Sequence, residues 1–259
     1  MIGSHTELED TIDTSRNSGT YSCLIVGATG LVGLALLRQL LADPVCYKIT
    51  VLARRPFDRP VADSNNRSKL HVIVADFDRL QEALDDVEAD IVFCALGTTI
   101  KVAGSQEAFR QVDYEYPLAL AKWAENTGVR HYMVVTAMGA SVSSPFFYSR
   151  VKGELEEQLS LIQLESITFF RPSLLLGYRT SKRFGETVGV MFSKAVQWLM
   201  IGPLRQYRPI AGEDVARAMR TAAKQAIAEP EKYRNDGRKP TVHAYSSDTI
   251  AALAAHTTG

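Results

Sequence analysis

The chain has 259 residues, 46% of them hydrophobic, so it can bury one sizeable α/β core and is too short for two large independent domains. Its 29 basic and 29 acidic residues give a net charge of zero. Without an overall positive electrostatic field, nucleic acid or an anionic membrane surface is not expected as a partner. The three cysteines and five histidines show no metal-ligand spacing, which predicts a protein of a reducing compartment without a metal site.

The first stretch of the chain, residues 1–20, is polar and acidic and predicts a mobile N-terminal tail rather than a signal sequence. No apolar run approaches the roughly 18 residues that a bilayer span needs. These two features predict a cytoplasmic location and no membrane partner.

Short apolar runs then alternate with helical patterns; in chain order the runs are SCLIV, KITVLA, LHVIVA, DIVFCAL, HYMVVT, ITFFRP and, much later, TVHAY. Such alternation is typical of parallel strands with crossover helices on both faces. The predicted fold is α/β, a Rossmann doubly wound parallel sheet of order 3-2-1-4-5-6 with room for a seventh strand. One domain over residues 21–259 is expected, with a small C-terminal extension and substrate-side elements mainly from residues 173–210. Ligands of such sheets bind at the carboxyl ends of the strands.

The loop after the first strand reads GATGLVG and runs straight into an apolar helix. Its three glycines permit a tight turn, close approach of the backbone to a pyrophosphate, and close packing of helix on strand. The helix N-terminus would face the phosphates of a dinucleotide. The alternative is a glycine-rich turn that serves packing alone. The predicted cofactor contacts in this loop are Gly27, Thr29, Gly30, Leu31, Val32 and Gly33.

The second strand ends in VLARRP, with Arg54 and Arg55 where an NAD-binding protein would carry an acid. A guanidinium pair can hold a 2′-phosphate, so NADP(H) is favoured over NAD(H); the alternative is two solvated surface arginines. After the third strand, Asp76 could accept from the adenine amino group or cap the next helix, and Phe77 could add a backbone or ring contact. The small residues after the fourth strand are further predicted contacts: Ala95, Leu96, Gly97 and Thr98.

Tyr148 and Lys152 lie four residues apart at the start of the helix after the fifth strand, on one helix face. A nearby ammonium is expected to lower the tyrosine pKa from about 10 towards the operating pH, as a proton donor or acceptor requires. Lys152 could also bond the nicotinamide ribose. Thr136, at the end of the fifth strand, is the predicted hydroxyl that holds the substrate oxygen, with Ser141 and Ser143 as alternatives in the loop.

Several motifs together resemble the short-chain dehydrogenase/reductase superfamily, in its atypical branch, and within it the Tat-interactive-protein-like oxidoreductases and their bacterial relatives. The motifs, which span most of residues 22–220, are GATGLVG, CALGTT, VDYEYPLALAKWAENTGVRHYMVVTAMGA, YSRVK, FFRPSLLLG and IAGEDVARAM. The resemblance implies an NADPH-binding Rossmann domain, Tyr148 and Lys152 as the catalytic pair, and Arg171 near the nicotinamide. Many superfamily members carry two serines where this chain has Thr136 and Ala137, so a hydroxyl required at the second position would be missing.

The function expected from these features is NADPH-dependent hydride transfer to a small carbonyl or from a small hydroxyl substrate, by a monomer or a homodimer. One alternative is an NADPH-binding regulatory or redox-sensing protein with little turnover. A second alternative is an epimerase or isomerase with tightly bound cofactor, although the C-terminal part is short for a sugar-nucleotide pocket.

Overall fold

The computed structural model describes residues 19–58, 68–176, 206–235 and 239–256. Almost all of the predicted tail at residues 1–20 and most of the predicted substrate-side segment at residues 173–210 lie outside these ranges. Both predictions therefore stay predictions.

Nine strands occur in the described ranges: β1 (Tyr21–Val26), β2 (Cys46–Ala53), β3 (Leu70–Val74), β4 (Ile91–Cys94), β5 (His131–Val135), β6 (Ser166–Arg171), β7 (Leu175–Leu176), β8 (Ile210–Ala211) and β9 (Thr241–Ser246). Seven of them form one sheet in the order β3-β2-β1-β4-β5-β6-β9, and every neighbouring pair is parallel. Strands β7 and β8 form a separate parallel pair. The predicted doubly wound sheet is confirmed, and the TVHAY run supplies its seventh strand.

The helices of the described ranges are α1 (Leu31–Leu41), α2 (Leu80–Ala83), α3 (Ile100–Ala103), α4 (Gln106–Arg110), α5 (Tyr116–Asn126), α6 (Phe147–Leu159), α7 (Gly212–Ala228), α8 (Pro230–Tyr233) and α9 (Ser247–Ala255). A 3₁₀ turn, Phe77–Arg79, precedes α2, and a π-helical turn, Gln111–Glu115, joins α4 to α5. Within these ranges, no helix is both long and apolar enough to cross a membrane.

The central strands are buried on both sides, which explains their continuous apolar sequences. Along β1, Cys23 and Ile25 belong to a core cluster that also contains residues of α1, α7 and α9. Leu24 and Val26 belong to a second cluster, with residues of α2, α5 and α6. Alternate side chains of one strand thus enter two cores, because successive side chains of a strand point to opposite faces. The carboxyl ends of β1, β4 and β5 stand side by side between these layers.

Candidate active site

The glycine loop between β1 and α1 has almost no room for side chains. Gly27 has a φ of +92°, and a Cβ there would lie 2.5 Å from the carbonyl oxygen of Ala95. A Cβ on Gly33 would lie 2.2 Å from the carbonyl oxygen of Gly27. These contacts bring the start of α1 against the ends of β1 and β4. Glycine is the residue that permits both the left-handed turn and the close approach.

The N-cap of α1 carries no side chain. Gly30 is the N-cap, so no side chain of the cap residue bonds the first N–H groups of this 11-residue helix, and such groups suit an anion. Thr29 is exposed at the crest of the loop, whereas Val32 is buried in the core. The side chain of Leu31 touches Gly212 at the start of α7. Backbone groups, rather than the side chains of these two apolar residues, fit a pyrophosphate here.

The residues predicted to contact the adenosine half lie at the ends of β2 and β3. Arg54 and Arg55 are exposed directly after β2. The Asp76 side chain accepts a hydrogen bond from the Asp78 N–H at 3.1 Å. It therefore caps the 3₁₀ turn Phe77–Arg79, which corresponds to the predicted alternative of a helix cap. Phe77 is buried and packs edge-on against Tyr116, with ring centroids 5.4 Å apart. The Phe77 ring therefore does not offer a contact surface to adenine.

The loop after β4 lies between the glycine loop and Asp113. Ala95 packs against Gly27, and the Thr98 N–H donates a hydrogen bond to Asp113 Oδ2 at 2.8 Å. A Cβ on Gly97 would lie 3.6 Å from Asp113 Oδ1. Leu96 is half-buried against the second core cluster. Asp113 thus lies against this loop at Gly97 and Thr98.

Lys152 is buried in an ion pair. Its Nζ lies 2.8 Å from Asp113 Oδ1, and the two side chains are 2% and 1% exposed. Burial by itself lowers the lysine pKa, but the Asp113 carboxylate outweighs it, so that the pKa of Lys152 is raised. The ammonium is therefore charged at neutral pH.

Tyr148 is 40% exposed, and its ring centroid lies 5.7 Å from that of Phe109. Desolvation raises its pKa above the ordinary value of 10.0; Lys152 opposes this rise and Asp113 adds to it. The predicted lowering of the Tyr148 pKa is therefore wrong. The sequence showed the ammonium four residues away but not the desolvation of the phenol, which is the largest cause of the rise, nor the Asp113 carboxylate that adds to it. The phenol is protonated at neutral pH.

Thr136 does not face an open site. It is buried, and its Oγ1 donates a hydrogen bond to Glu156 Oε1 at 2.6 Å. The same carboxylate pairs with Arg171, whose Nε lies 3.0 Å from Oε1 and whose Nη2 lies 2.5 Å from Oε2. Glu156 therefore binds the Thr136 hydroxyl and two of the three guanidinium nitrogens of Arg171. This geometry does not support the predicted substrate contact of Thr136 or the predicted cofactor contact of the Arg171 guanidinium.

The alternative hydroxyls, on Ser141 and Ser143, lie in a loop that rests on α6. Their Oγ atoms are 3.0 Å apart, and the Ser141 N–H donates to the Ser149 carbonyl oxygen at 3.1 Å. A Cβ on Gly153 would lie 2.2 Å from the Ser141 carbonyl carbon, so the loop contacts the helix next to Lys152. Of the candidate hydroxyls, these two belong to the loop that packs on the Tyr148 helix.

Sequence reasoning missed three residues of this arrangement: Asp113, Gly153 and Glu156. Asp113 is an acid in a largely apolar helical run, and Glu156 is one helical turn beyond Lys152 on the same face. Gly153 stands inside a helical pattern, where glycine often marks a close packing contact. Each signal is weak alone, because exposed acids and helix glycines are common.

A profile of the NAD(P)H-binding family matches residues 27–161. Protein FMP52, mitochondrial, from Candida albicans is 32% identical over 237 residues, which cover 90% of this chain and 98% of that protein. Protein HTATIP2 from Rattus norvegicus is 34% identical over 172 residues, 66% of this chain and 69% of that protein. These matches confirm the predicted NAD(P)-binding domain and the predicted resemblance.

Solved structures with low sequence identity share the fold. A UDP-N-acetylglucosamine 4-epimerase from Methanobrevibacter ruminantium is 16% identical, with a TM-score of 0.60 over 88% of this chain and 76% of the other. The NAD complex of a UDP-glucuronic acid 4-epimerase from Bacillus cereus is 14% identical, with a TM-score of 0.56 over 87% and 78%. Both likenesses concern the Rossmann fold alone.

The predicted cytoplasmic location is wrong. Several fungal relatives that are 32 to 34% identical to this chain, including those from Candida albicans and Emericella nidulans, carry the word mitochondrial in their names. The polar, acidic residues 1–20 and the lack of a long apolar run, on which the prediction rested, do not determine the cellular location.

Proposed function

Because this chain belongs to the NAD(P)H-binding family, in the atypical branch of the short-chain dehydrogenase/reductase superfamily, we propose that it is an NADPH-dependent oxidoreductase that reduces a small carbonyl compound. The observation that supports the proposal is the position of Tyr148 one helical turn before Lys152, whose buried ion pair with Asp113 lies against the loop after β4. The raised pKa of Tyr148 keeps the proton on the phenol. A general acid must hold its proton at the operating pH, and Tyr148 meets this condition.

In the proposed reaction, the carbonyl carbon of the substrate would receive the hydride that NADPH supplies when it is bound. Tyr148 donates its hydroxyl proton to the carbonyl oxygen, and the Lys152 ammonium stabilises the phenolate that results. Ser141 or Ser143 would hold the carbonyl oxygen by a hydrogen bond, in place of Thr136. Solvent returns the proton to Tyr148 after product release.

For the cofactor, we propose contacts at three places. The N–H groups at the start of α1 hold the pyrophosphate, and the backbone at Gly97 and Thr98 passes beside the nicotinamide half. Arg54 and Arg55 bind the 2′-phosphate, which favours NADP(H) over NAD(H). Their exposure at the end of β2, with no acid in the adjacent VLARRP segment, supports this preference.

For the substrate, we propose a carbonyl compound with an apolar body. Large apolar side chains are exposed after β4, β5 and β6, which are neighbours in the sheet, and exposed apolar surface often marks a ligand groove. These side chains are Ile100, Val102, Val142, Phe146, Leu174 and Leu175. They suit an aliphatic or aromatic aldehyde or ketone better than a sugar nucleotide.

The decisive experiment replaces Tyr148 by Phe and compares it with Tyr47→Phe. Both tyrosines are about equally exposed, at 40% and 41%, but Tyr47 lies near the amino end of β2, away from the proposed site. NADPH oxidation with straight-chain aldehydes of four to ten carbons should fall at least about 100-fold in Tyr148→Phe, as expected for loss of a general acid. NADPH affinity should be retained in both variants. Full aldehyde reduction by Tyr148→Phe would refute the proposed mechanism.

The substrate proposal has its own test. Phe146→Ser should raise KM for decanal about tenfold, because roughly 1.4 kcal/mol of apolar contact is lost. Leu161→Ser, a similarly exposed position beyond the opposite end of α6, should leave KM unchanged. Equal activity towards short polar aldehydes and decanal would contradict the apolar substrate.

A second candidate function is an NADPH-binding regulator with little turnover. The engagement of Thr136 and Arg171 by Glu156 favours it, because two groups expected to serve substrate and cofactor are used elsewhere. Tight NADPH binding without Tyr148-dependent aldehyde or ketone reduction would support this candidate over the reductase.

A further inference from the structure

Two cysteines contact each other between the neighbouring strands β1 and β2. The Sγ atoms of Cys23 and Cys46 lie 3.7 Å apart, and both side chains are buried. They belong to the core cluster that also contains residues of α1 and α7. The third cysteine, Cys94, is equally buried but belongs to the second core cluster, on the opposite face of the sheet. All three are free thiols, so the sheet separates a thiol pair from a single thiol.

The two sulfur atoms are placed so that a disulfide needs little movement. Cys46 is the register partner of Tyr21, and Cys23 follows two residues later on the same face of β1. The sulfur atoms would have to approach from 3.7 Å to the disulfide length of about 2.05 Å, a distance that rotations of both side chains can share. The cross-link therefore requires no change in the order of the strands.

The sulfur of Cys46 is the one that an oxidant can reach first. Cys46 is the first residue of β2, and the residues on either side of it in the chain include the exposed Pro44 and Tyr47. The register of β1 with β2 also shifts here, between Tyr21 and Ser22. The ends of strands open locally at a lower free energy than their centres. Opening of this end exposes Cys46 while the centre of the sheet stays folded.

Cys23 is less reactive towards an oxidant because it is held as a thiol. Desolvation raises its pKa, and the hydrogen bond with Cys46 adds to the rise, whereas the nearby Lys69 opposes it. The thiolate, rather than the thiol, is the form of cysteine that reacts fastest with oxidants. Cys23 therefore reacts second, with a partner sulfur that is already oxidised.

We propose that Cys23 and Cys46 form a reversible disulfide when the chain is exposed to a peroxide. The Cys46 sulfur attacks one peroxide oxygen, so that an S–O bond forms, the O–O bond breaks and the thiol proton leaves in a water molecule. The Cys23 sulfur then attacks this sulfenic sulfur; the S–S bond forms, the S–O bond breaks and a second water carries away the Cys23 proton. The two thiols lose two electrons, which reduce one hydrogen peroxide to two water molecules.

The cross-link closes a covalent ring over residues 23–46, which contain the whole glycine loop and helix α1. A disulfide stabilises a protein mainly because it restricts the unfolded chain. For a ring of this length in a domain of this size, Tm should rise by roughly 5 to 10 °C. Oxidation thus stabilises the first β–α–β unit, whatever reaction the protein catalyses.

The first test is peptide mapping of the native chain before and after treatment with hydrogen peroxide, with free thiols alkylated under denaturing conditions. Trypsin cuts after Arg38 and Lys48, which places Cys23 in residues 17–38 and Cys46 in residues 39–48. The oxidised chain should contain these two peptides joined by a bond that dithiothreitol cleaves. Cys94, in residues 80–101, is the internal control and should remain an alkylated thiol. Absence of the joined peptides would overturn the proposal, and so would a disulfide of Cys94 in similar yield.

The second test compares Tm of the oxidised and the reduced protein in the native chain, in Cys46→Ser and in Cys94→Ser. Each chain is compared with itself, so a loss of stability caused by the substitution cancels. The native chain and Cys94→Ser should gain roughly 5 to 10 °C on oxidation, and Cys46→Ser should gain nothing. An equal gain in Cys46→Ser would refute the assignment of the cross-link, and joined peptides without a higher Tm would refute its stabilising effect.

Discussion

Replacing Gly30 by Ala separates a cofactor-binding glycine loop from one that serves packing alone. A Cβ at this position would meet the Gly27 carbonyl oxygen at 3.3 Å and the Ala95 carbonyl oxygen at 3.9 Å, so the neighbours need give only a few tenths of an ångström. The Gly30 backbone, at φ −80° and ψ 171°, is open to any residue. The free energy of unfolding should fall by less than about 1 kcal/mol, including the weaker N-cap. For a domain of this size, Tm should fall by at most about 4 °C.

NADPH affinity, in contrast, should suffer strongly in Gly30→Ala. The added methyl group stands where the backbone must approach the pyrophosphate, and a loss of about 1.4 to 3 kcal/mol corresponds to a Kd roughly 10- to 150-fold higher. Fluorescence titration with NADPH measures this change, and thermal denaturation without cofactor measures Tm. The variant should therefore lose affinity while it keeps its fold.

The contrasting variant is Gly33→Ala. Its Cβ would lie 2.2 Å from the Gly27 carbonyl oxygen, so α1 must move by about 1 Å to reach an ordinary contact distance. Overpacking of this kind costs about 1 to 3 kcal/mol, and Tm should fall by roughly 2 to 12 °C together with the affinity. A folded Gly30→Ala variant that binds NADPH as tightly as the native chain would refute the placement of the pyrophosphate at this loop.

Three further predictions concern selectivity, stability and pH. Replacing Arg54 and Arg55 by Ala should weaken NADPH binding at least about tenfold and leave NADH binding nearly unchanged; equal effects on both cofactors would contradict the 2′-phosphate contact. Glu156→Gln should lower the free energy of unfolding, measured by urea denaturation, by about 2 kcal/mol or more, because it breaks the ion pair with Arg171. The control Glu157→Gln, at an exposed neighbouring position, should change it by less than about 0.5 kcal/mol. Burial lowers the pKa of His131 to about 4, so between pH 6.5 and 4 this imidazole binds a proton in the unfolded chain but not in the folded chain. The free energy of unfolding should therefore fall by up to about 3 kcal/mol as the pH drops from 6.5 to 4. The variant His131→Gln should remove much of that pH dependence.

The strand order was predictable because local patterns and general topology leave few alternatives. Continuous apolar runs such as those of β1 and β4 fit only strands covered on both faces, and the alternation with helices requires parallel crossovers. The glycine loop was predictable for a similar reason, since Gly27 and Gly33 are explained by contacts with backbone that is near in sequence or adjacent in the sheet. The late TVHAY run also joined the sheet, beside β6.

The side-chain chemistry of the site was less predictable, because it depends on partners distant in sequence. Lys152 pairs with an acid 39 positions earlier, and Thr136 donates to one 20 positions later. Neither partner is marked by a motif of fixed spacing. The predicted direction of the Tyr148 pKa shift failed because the sequence shows the nearby ammonium but not the packing that desolvates the phenol, which is the largest cause of the rise, nor the Asp113 carboxylate that adds to it.

The sequence by itself determined the doubly wound sheet, the glycine turn at the start of α1 and the presence of Tyr148 and Lys152 on one helix face, because these follow from periodicity and from residues within a few positions of one another. Only the tertiary structure decided the electrostatic state of that pair and the engagement of Thr136 by Glu156. The physical reason is that desolvation and charge compensation act through space over a few ångströms, and the groups that supply them here come from separate strands and helices.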